Sequence, residues 1–159
     1  MLNSKRILVI AILLTYFLLI NVATSFAEAI AVIVNKSNSV NELTFNDLKR
    51  IFRMDRLYWN GDKIYLLLRE DGSREKKVLL NKVYRMTSKG LKKFWMSKMF
   101  KGEIDSYPKL VISSATMKVY ISNAHNGIGI IIASEVDDTV KVLKIDGKLP
   151  EEPGYMLVE

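Results

Sequence analysis

The stretch Ile64-Tyr65-Leu66-Leu67-Leu68-Arg69-Glu70-Asp71-Gly72-Ser73-Arg74 runs from an apolar segment through a polar turn to the start of a helix. The segment Ile64 to Leu68 predicts a buried strand, because it is too short for a typical helix. Asp71-Gly72 marks the turn, and Ser73 is suited to cap the helix that follows. A helix that begins just beyond a strand offers unpaired N–H groups and the positive end of its dipole. The stretch therefore predicts a strand–turn–helix unit that can receive an oxyanion.

Strand and helix patterns alternate along the rest of the chain. Thr44 predicts a helix start, because Asp47 follows three residues later and can share the cap. Ser88 is predicted to cap a third helix, and Ser113 or Ser114 to start a short fourth one. Further strands are predicted to cover Ala29 to Val34, Ile128 to Ala133 and Val140 to Ile145. The alternation predicts an α/β fold, a single three-layer lobe with a mostly parallel sheet flanked by helices.

The first 27 residues have the pattern of a secretory signal peptide. Two basic residues precede the apolar run Ile7 to Ile20, and small residues follow it, so cleavage after Ala27 or Ala29 fits. An uncleaved membrane anchor is the alternative, because the run is only slightly short for a spanning helix. Cleavage is favoured because the small residues follow directly. We expect a signal peptide at 1–27 and one exported domain at 28–159, periplasmic or secreted, with no stable membrane insertion after cleavage.

Composition narrows the classes of function. The 159 residues carry a formal charge of +7 and no cysteine, which excludes a disulfide scaffold and a lipid-anchored lipoprotein. Basic and acidic residues are interspersed, which favours a mixed solvated surface over a nucleic-acid partner. His125 is the only histidine, and we interpret it as an ordinary loop residue. Without a nucleophile–base pair we expect no enzyme, no catalytic residues, no metal and no cofactor.

The predicted turn carries the donors that an oxyanion requires. Arg69, at the end of the strand, offers two parallel N–H donors to an oxyanion. The Ser73 hydroxyl and the first N–H groups of the helix would complete a cradle. The Asp71 carboxylate can accept a hydrogen bond from a protonated phosphate oxygen, whereas sulfate has no such proton at neutral pH. The candidate binding residues are therefore Arg69, Asp71, Gly72, Ser73 and Arg74. The alternative is that Asp71-Gly72 is only a turn and Ser73 only a cap.

Six segments spread from Ile30 to Tyr155 match motifs of one family in that family's order. They are Val32–Asn38, Leu43–Phe52, Trp59, Arg69–Ser73, Gly127–Ile130 and Val142–Pro150. Together they resemble one lobe of the phosphate-binding periplasmic proteins of ABC importers, which have the type II periplasmic-binding-protein fold. The family's phosphate loop begins R-x-D-G-S, as Arg69–Ser73 does. The resemblance implies a substrate-binding-protein-like domain that binds phosphate or a similar oxyanion weakly.

The sequence also departs from this family at the loop itself. The family continues S-G-T, whereas Arg74 and Glu75 stand at the last two of these places. Arg74 adds a second cation, but Glu75 adds a negative charge that repels a bound dianion. A second lobe has no counterpart in this sequence, so one side of a bound oxyanion would face water. The alternative function is a ligand-free interaction or assembly module that contacts a partner protein, or itself, at the face of the missing lobe.

Overall fold

A computed structural model describes residues 28–59 and 61–159 and has a five-stranded sheet at its centre. The strands are β1 (Ile30–Val34), β5 (Tyr65–Arg69), β6 (Lys109–Val111), β7 (Gly127–Ile132) and β8 (Lys141–Val142), in the spatial order β6-β5-β7-β1-β8. β5 pairs in parallel with β6 and β7, whereas β1 is antiparallel to both β7 and β8. Within this sheet, the four strands other than β1 run in the same direction, which confirms the predicted mostly parallel sheet.

Shorter elements surround this sheet. β2 (Glu42–Leu43) pairs in parallel with β9 (Lys144–Ile145), and β3 (Tyr58–Trp59) pairs with β4 (Asp62–Lys63) in antiparallel fashion. The helices are α1 (Phe45–Phe52), α2 (Arg74–Val78), α3 (Ser88–Phe100) and α4 (Ser114–Asn123), with a π-helical segment at Leu79–Tyr84 and a 3-10 turn at Ala133–Glu135. Among the described residues, no helix combines the length and apolar character needed to cross a membrane.

Apolar side chains cover both faces of the sheet, because successive strand residues point to opposite sides. In β1, Ile30, Val32 and Val34 join a core with α1, α2 and α3, whereas Ala31 and Ile33 join a second core with α4. Helices therefore pack on both faces, which confirms the predicted three-layer α/β lobe.

Serine and threonine caps start the helices. The side-chain oxygens of Thr44, Ser73 and Ser113 each accept an N–H from the residue three positions later, at 3.0–3.1 Å, as the sequence predicts. The prediction that Ser88 caps α3 is wrong by one residue, because Thr87 is the cap and Ser88 is the first helical residue.

The predicted strand from Val140 to Ile145 is wrong as a single element. β8 pairs with β1, whereas β9 pairs with β2. Between them, the fully buried Leu143 donates its N–H to the Val32 carbonyl at 2.9 Å. The chain thus leaves the central sheet within two residues, which an apolar run does not reveal. The predicted signal peptide at 1–27 lies outside the described residues.

Candidate oxyanion site

The candidate site lies at the edge of the sheet where β5 and β6 both end. These strands are parallel, so the loops after Arg69 and Val111 are neighbours, and the Glu70 N–H donates to the Val111 carbonyl at 3.3 Å. α2 and α4 both begin at this edge. Gly72 has a φ of 92°, a left-handed conformation that glycine adopts without strain, and it closes the turn. In α/β sheets, ligands bind at the carboxyl ends of strands.

Arg69 is held inside this edge by polar partners from two helices. Its side chain is only 15% exposed, and Nη1 lies 3.2 Å from Oε1 of Glu75. The same Nη1 donates to Oγ of Ser114 at 3.1 Å. Its Nε is buried and has no hydrogen-bond partner among the described residues. The guanidinium is therefore ion-paired but still has donor capacity.

Glu75 is the internal counter-ion of Arg69. Its side chain is 3% exposed, and Oε1 also accepts a hydrogen bond from the Ser114 hydroxyl at 3.4 Å. The Arg69 guanidinium at the end of β5 and the Ser114 hydroxyl at the start of α4 thus both contact Oε1 of Glu75. A carboxylate is itself an oxyanion, so this corner of the fold already holds one. The sequence predicts that Glu75 repels a ligand, but it does not predict this pairing.

Two of the predicted binding residues have partners outside this corner. Oδ1 of Asp71 accepts from Ser88 Oγ at 3.3 Å, and Oδ2 lies 3.2 Å from Nζ of Lys92. The Lys92 hydrogen bond lowers the pKa of Asp71, so its carboxyl group is ionised at neutral pH. The Arg74 guanidinium pairs with Glu28 and with Glu159, the latter at 2.9 Å from Nε.

Arg74 therefore has two carboxylate partners near the ends of the described chain, and Asp71 contacts Ser88 and Lys92 of α3. Ser73 keeps donor capacity, because its Oγ accepts the Lys76 N–H as a cap and its own proton remains available to a ligand oxygen. The structure thus brings Arg69 and Ser114 together around Glu75, and it orients Asp71 and Arg74 toward other charges. Sequence reasoning missed Ser114, although the Ser113-Ser114 pair after an apolar run was a usable signal.

His125 lies near the opposite edge of the sheet, in the loop before β7. Its Nδ1 is 2.7 Å from the Ser37 hydroxyl, which donates to Asn35 Oδ1 at 2.6 Å. The Asn35 amide in turn donates to the carbonyls of Ile121 and Ser122. These bonds join the loop after β1 to the end of α4. Among the described residues, no group of three or more His, Cys, Asp or Glu side chains is placed to hold a metal ion.

Solved structures identify the fold. A protein from Clostridium perfringens, assigned as a phosphate ABC transporter substrate-binding protein and crystallised with bound phosphate, is 26% identical with a TM-score of 0.63, over 77% of this chain and 47% of that one. An ABC-type phosphate transport receptor from Vibrio cholerae is 22% identical with a TM-score of 0.64, over 77% and 48%. PstS from Borrelia burgdorferi is 15% identical with a TM-score of 0.63, over 79% and 50%.

The chain therefore spans about half the length of these proteins. It has the fold of one lobe of the phosphate-binding proteins of ABC transporters, which confirms the resemblance in its sequence. These neighbours are transport receptors and not enzymes, in agreement with the prediction that this chain has no catalytic function. No protein-family profile and no curated protein matches the sequence.

Proposed function

We propose that this chain is an exported, single-lobe domain of the phosphate ABC transporter substrate-binding type, which binds phosphate or a similar oxyanion weakly. The observation that carries the proposal is the convergence of Arg69 and Ser114 on Oε1 of Glu75, at 3.2 and 3.4 Å. Donors that hold one oxyanion in a mostly buried corner can hold another of similar size. The neighbour from Clostridium perfringens, crystallised with phosphate, supports this ligand class.

Each residue of the loop has a role in this proposal. Arg69 donates two N–H groups to the oxyanion, and Ser73 donates its hydroxyl proton. Gly72 lets the backbone turn so that the first N–H groups of α2 face the ligand. Asp71 accepts a hydrogen bond from the hydroxyl group of a monoprotonated phosphate, which requires its carboxylate to leave Lys92. Arg74 adds positive charge only when it leaves Glu28 and Glu159.

Two features make the proposed binding weak. Phosphate has to displace the Glu75 carboxylate from Arg69, because both anions need the same donors. A single lobe also leaves one side of the ligand in water, where hydrogen bonds to the protein compete with bonds to solvent. We therefore expect dissociation constants in the millimolar range, corresponding to about 4 kcal/mol of binding free energy.

Titration of phosphate and of sulfate into the purified protein, followed by NMR, tests the proposal. Phosphate should shift the amide signals of residues 69–75 and of Ser114, and sulfate should shift them less. R69A should abolish the response, and D71A should remove the preference for phosphate. D105A is the matched control, because Asp105 is ion-paired with Lys63 away from this edge. No response at millimolar phosphate would sink the proposal.

Export is a separate proposal with its own test. It rests on the apolar run Ile7 to Ile20 and the small residues after it. N-terminal sequencing of the protein recovered from cells should find a chain that begins at Glu28 or Ile30. Recovery of the uncleaved chain from the membrane fraction would show that the run is an anchor instead.

A self-association module is the second candidate function. β6 is an edge strand, and Ile112 directly after it is 71% exposed, so another copy of the chain could pair along this edge. Sedimentation should then find a dimer that the substitution I112K weakens. A monomer at all concentrations used would exclude this candidate.

A further inference from the structure

A groove beside the candidate site lies between α3, the start of α2 and strand β6. Its volume is about 580 Å³, within the range of small-molecule sites. Its apolar wall is formed by Leu91, Trp95, Met96, Tyr107 and Leu110. Tyr107 and Leu110 are 50% and 53% exposed, so the groove opens to solvent. Two cations also line the groove, Lys76 and Lys92, and Lys92 is paired with Asp71. A mostly apolar recess of this size that contains a cation with no ion-pair partner among the described residues is suited to an apolar molecule with one anionic head.

Lys76 places a cation in this groove. The residue is only 3% exposed, and its Nζ lies 5.2 Å from the centre of the Trp95 ring. Among the described residues, no carboxylate lies within ion-pair distance of this ammonium. Burial lowers the pKa of Lys76, which reflects the cost of holding the charge there. A cation–π contact offsets only part of that cost, so an anionic partner would be stabilising.

The acidic residues that line the groove do not meet this need. The negative charge of Asp71 acts to raise the pKa of Lys76, but the two oxygens of Asp71 are engaged by Ser88 and by Lys92, at 3.3 and 3.2 Å. Glu70 also lines the groove and is exposed to solvent. Lys76 is therefore a buried cation at an apolar wall, whereas the carboxylates lie on the solvent side.

We propose that this groove binds a small amphiphilic carboxylate, with the carboxylate on Nζ of Lys76 and the apolar body against Trp95 and Leu110. The argument is charge complementarity within an apolar recess. It does not depend on phosphate binding at Arg69, because Arg69 contacts Ser114 and Glu75 whereas Lys76 contacts Ser73 and Trp95. Inorganic phosphate has no apolar body and should not occupy the groove.

Decanoate, below its micelle concentration, is the probe, and 1-decanol is its uncharged analogue. Calorimetry on the full chain should find that decanoate binds, and that K76M weakens this binding by about tenfold or more through loss of a charge-assisted hydrogen bond. K77M is the matched control, because Lys77 is the next residue and is exposed. Decanol should bind the wild type and K76M equally.

A second measurement needs no variant. In the wild-type protein, decanoate should shift the indole N–H signal of Trp95 and leave that of Trp59, which lies outside the groove lining, unchanged. The proposal is overturned if millimolar decanoate does not bind, if K76M binds it as tightly as the wild type, or if both indole signals move alike. A higher affinity for decanol than for decanoate would show that the groove takes an uncharged occupant, and would overturn it too.

Discussion

The substitution Glu75→Gln tests whether the internal carboxylate and an external oxyanion use the same donors. Glutamine keeps the shape of the side chain and an acceptor oxygen for Ser114 and Arg69, but it removes the negative charge. The guanidinium then lacks a counter-ion in a corner where its side chain is 15% exposed and its Nε has no partner among the described residues. We expect the variant to be less stable, and we expect phosphate to restore part of the loss.

The magnitude follows from the burial of the pair. Removing one partner of a buried ion pair costs about 3–5 kcal/mol of unfolding free energy. Arg69 keeps some exposure and its bond to Ser114, so we expect about 2–3 kcal/mol here, or a melting temperature lower by roughly 6–15 °C. In the wild type, phosphate has to overcome the same 2–3 kcal/mol to displace Glu75. Its affinity should therefore be about 30- to 150-fold lower than in the variant.

Thermal unfolding with and without phosphate measures both effects. For a dissociation constant of about 1 mM in the wild type and one about 30-fold lower in E75Q, about 1 mM phosphate adds about 2.0 kcal/mol to E75Q and about 0.4 kcal/mol to the wild type. E103Q is the control, because the Glu103 side chain is 46% exposed and its partner Lys98 keeps a second carboxylate, that of Asp55. This variant should lose less than about 1 kcal/mol and gain nothing from phosphate.

Two outcomes would refute the reasoning. If phosphate stabilises the wild type as much as E75Q, Glu75 does not compete for the site. If neither protein responds to phosphate, the corner is a structural ion pair and the proposed ligand is wrong. The double variant R69M/E75M separates destabilisation from binding, because replacing both partners by apolar side chains should be nearly neutral and should remove any phosphate response.

Three further predictions concern the cores and the groove. Y84F should cost about 1–2 kcal/mol in urea unfolding, because the buried Tyr84 hydroxyl donates to the Phe52 carbonyl at 2.8 Å. G129A should cost about 1–3 kcal/mol, because its Cβ would lie 2.4 Å from Sδ of Met117; with M117A added, the loss should be smaller than the sum of the two single losses. Burial lowers the pKa of Lys76 from its ordinary 10.5, so between the folded and unfolded values the unfolded chain binds more protons and stability rises with pH. Urea titrations of K76M should lack this rise, and an unchanged pH profile would contradict it.

The central strands and their helices could be predicted because their signals are local. The apolar runs that became β1, β5 and β7 are buried on both faces, and the caps at Thr44 and Ser73 depend on residues three positions away. The direction of β1 was not predictable, because a strand buried on both faces has the same pattern in parallel and antiparallel pairs. Two-residue strands such as β2 and β9 are too short to show an alternation of apolar and polar residues in the sequence.

Only the part of the candidate site between Arg69 and Ser73 was predictable from the sequence. Arg69 and Ser73 belong to one continuous motif, so the sequence places them together. Ser114 is the first residue of α4, 45 positions after Arg69, and it joins the site because β6 pairs with β5. The partners of Asp71 depend on how α3 docks against the turn, and no local pattern contains that information.

The ion pair of Arg69 and Glu75 gives a physical reason for the weak binding that we propose. A mostly buried guanidinium needs a counter-ion in every state of the protein, because an unpaired buried charge costs several kcal/mol. In a two-lobed binding protein, the ligand can supply that counter-ion when the lobes close. Here Glu75, in the first turn of α2, supplies that charge from within the same lobe. Because Glu75 belongs to the same chain, its carboxylate has a high effective concentration at Arg69. Phosphate from solution can compete with it only through its second negative charge and its additional oxygens. Glu75 therefore stabilises the lobe and lowers its affinity for phosphate. A substitution at position 75 should change stability and phosphate binding in opposite directions.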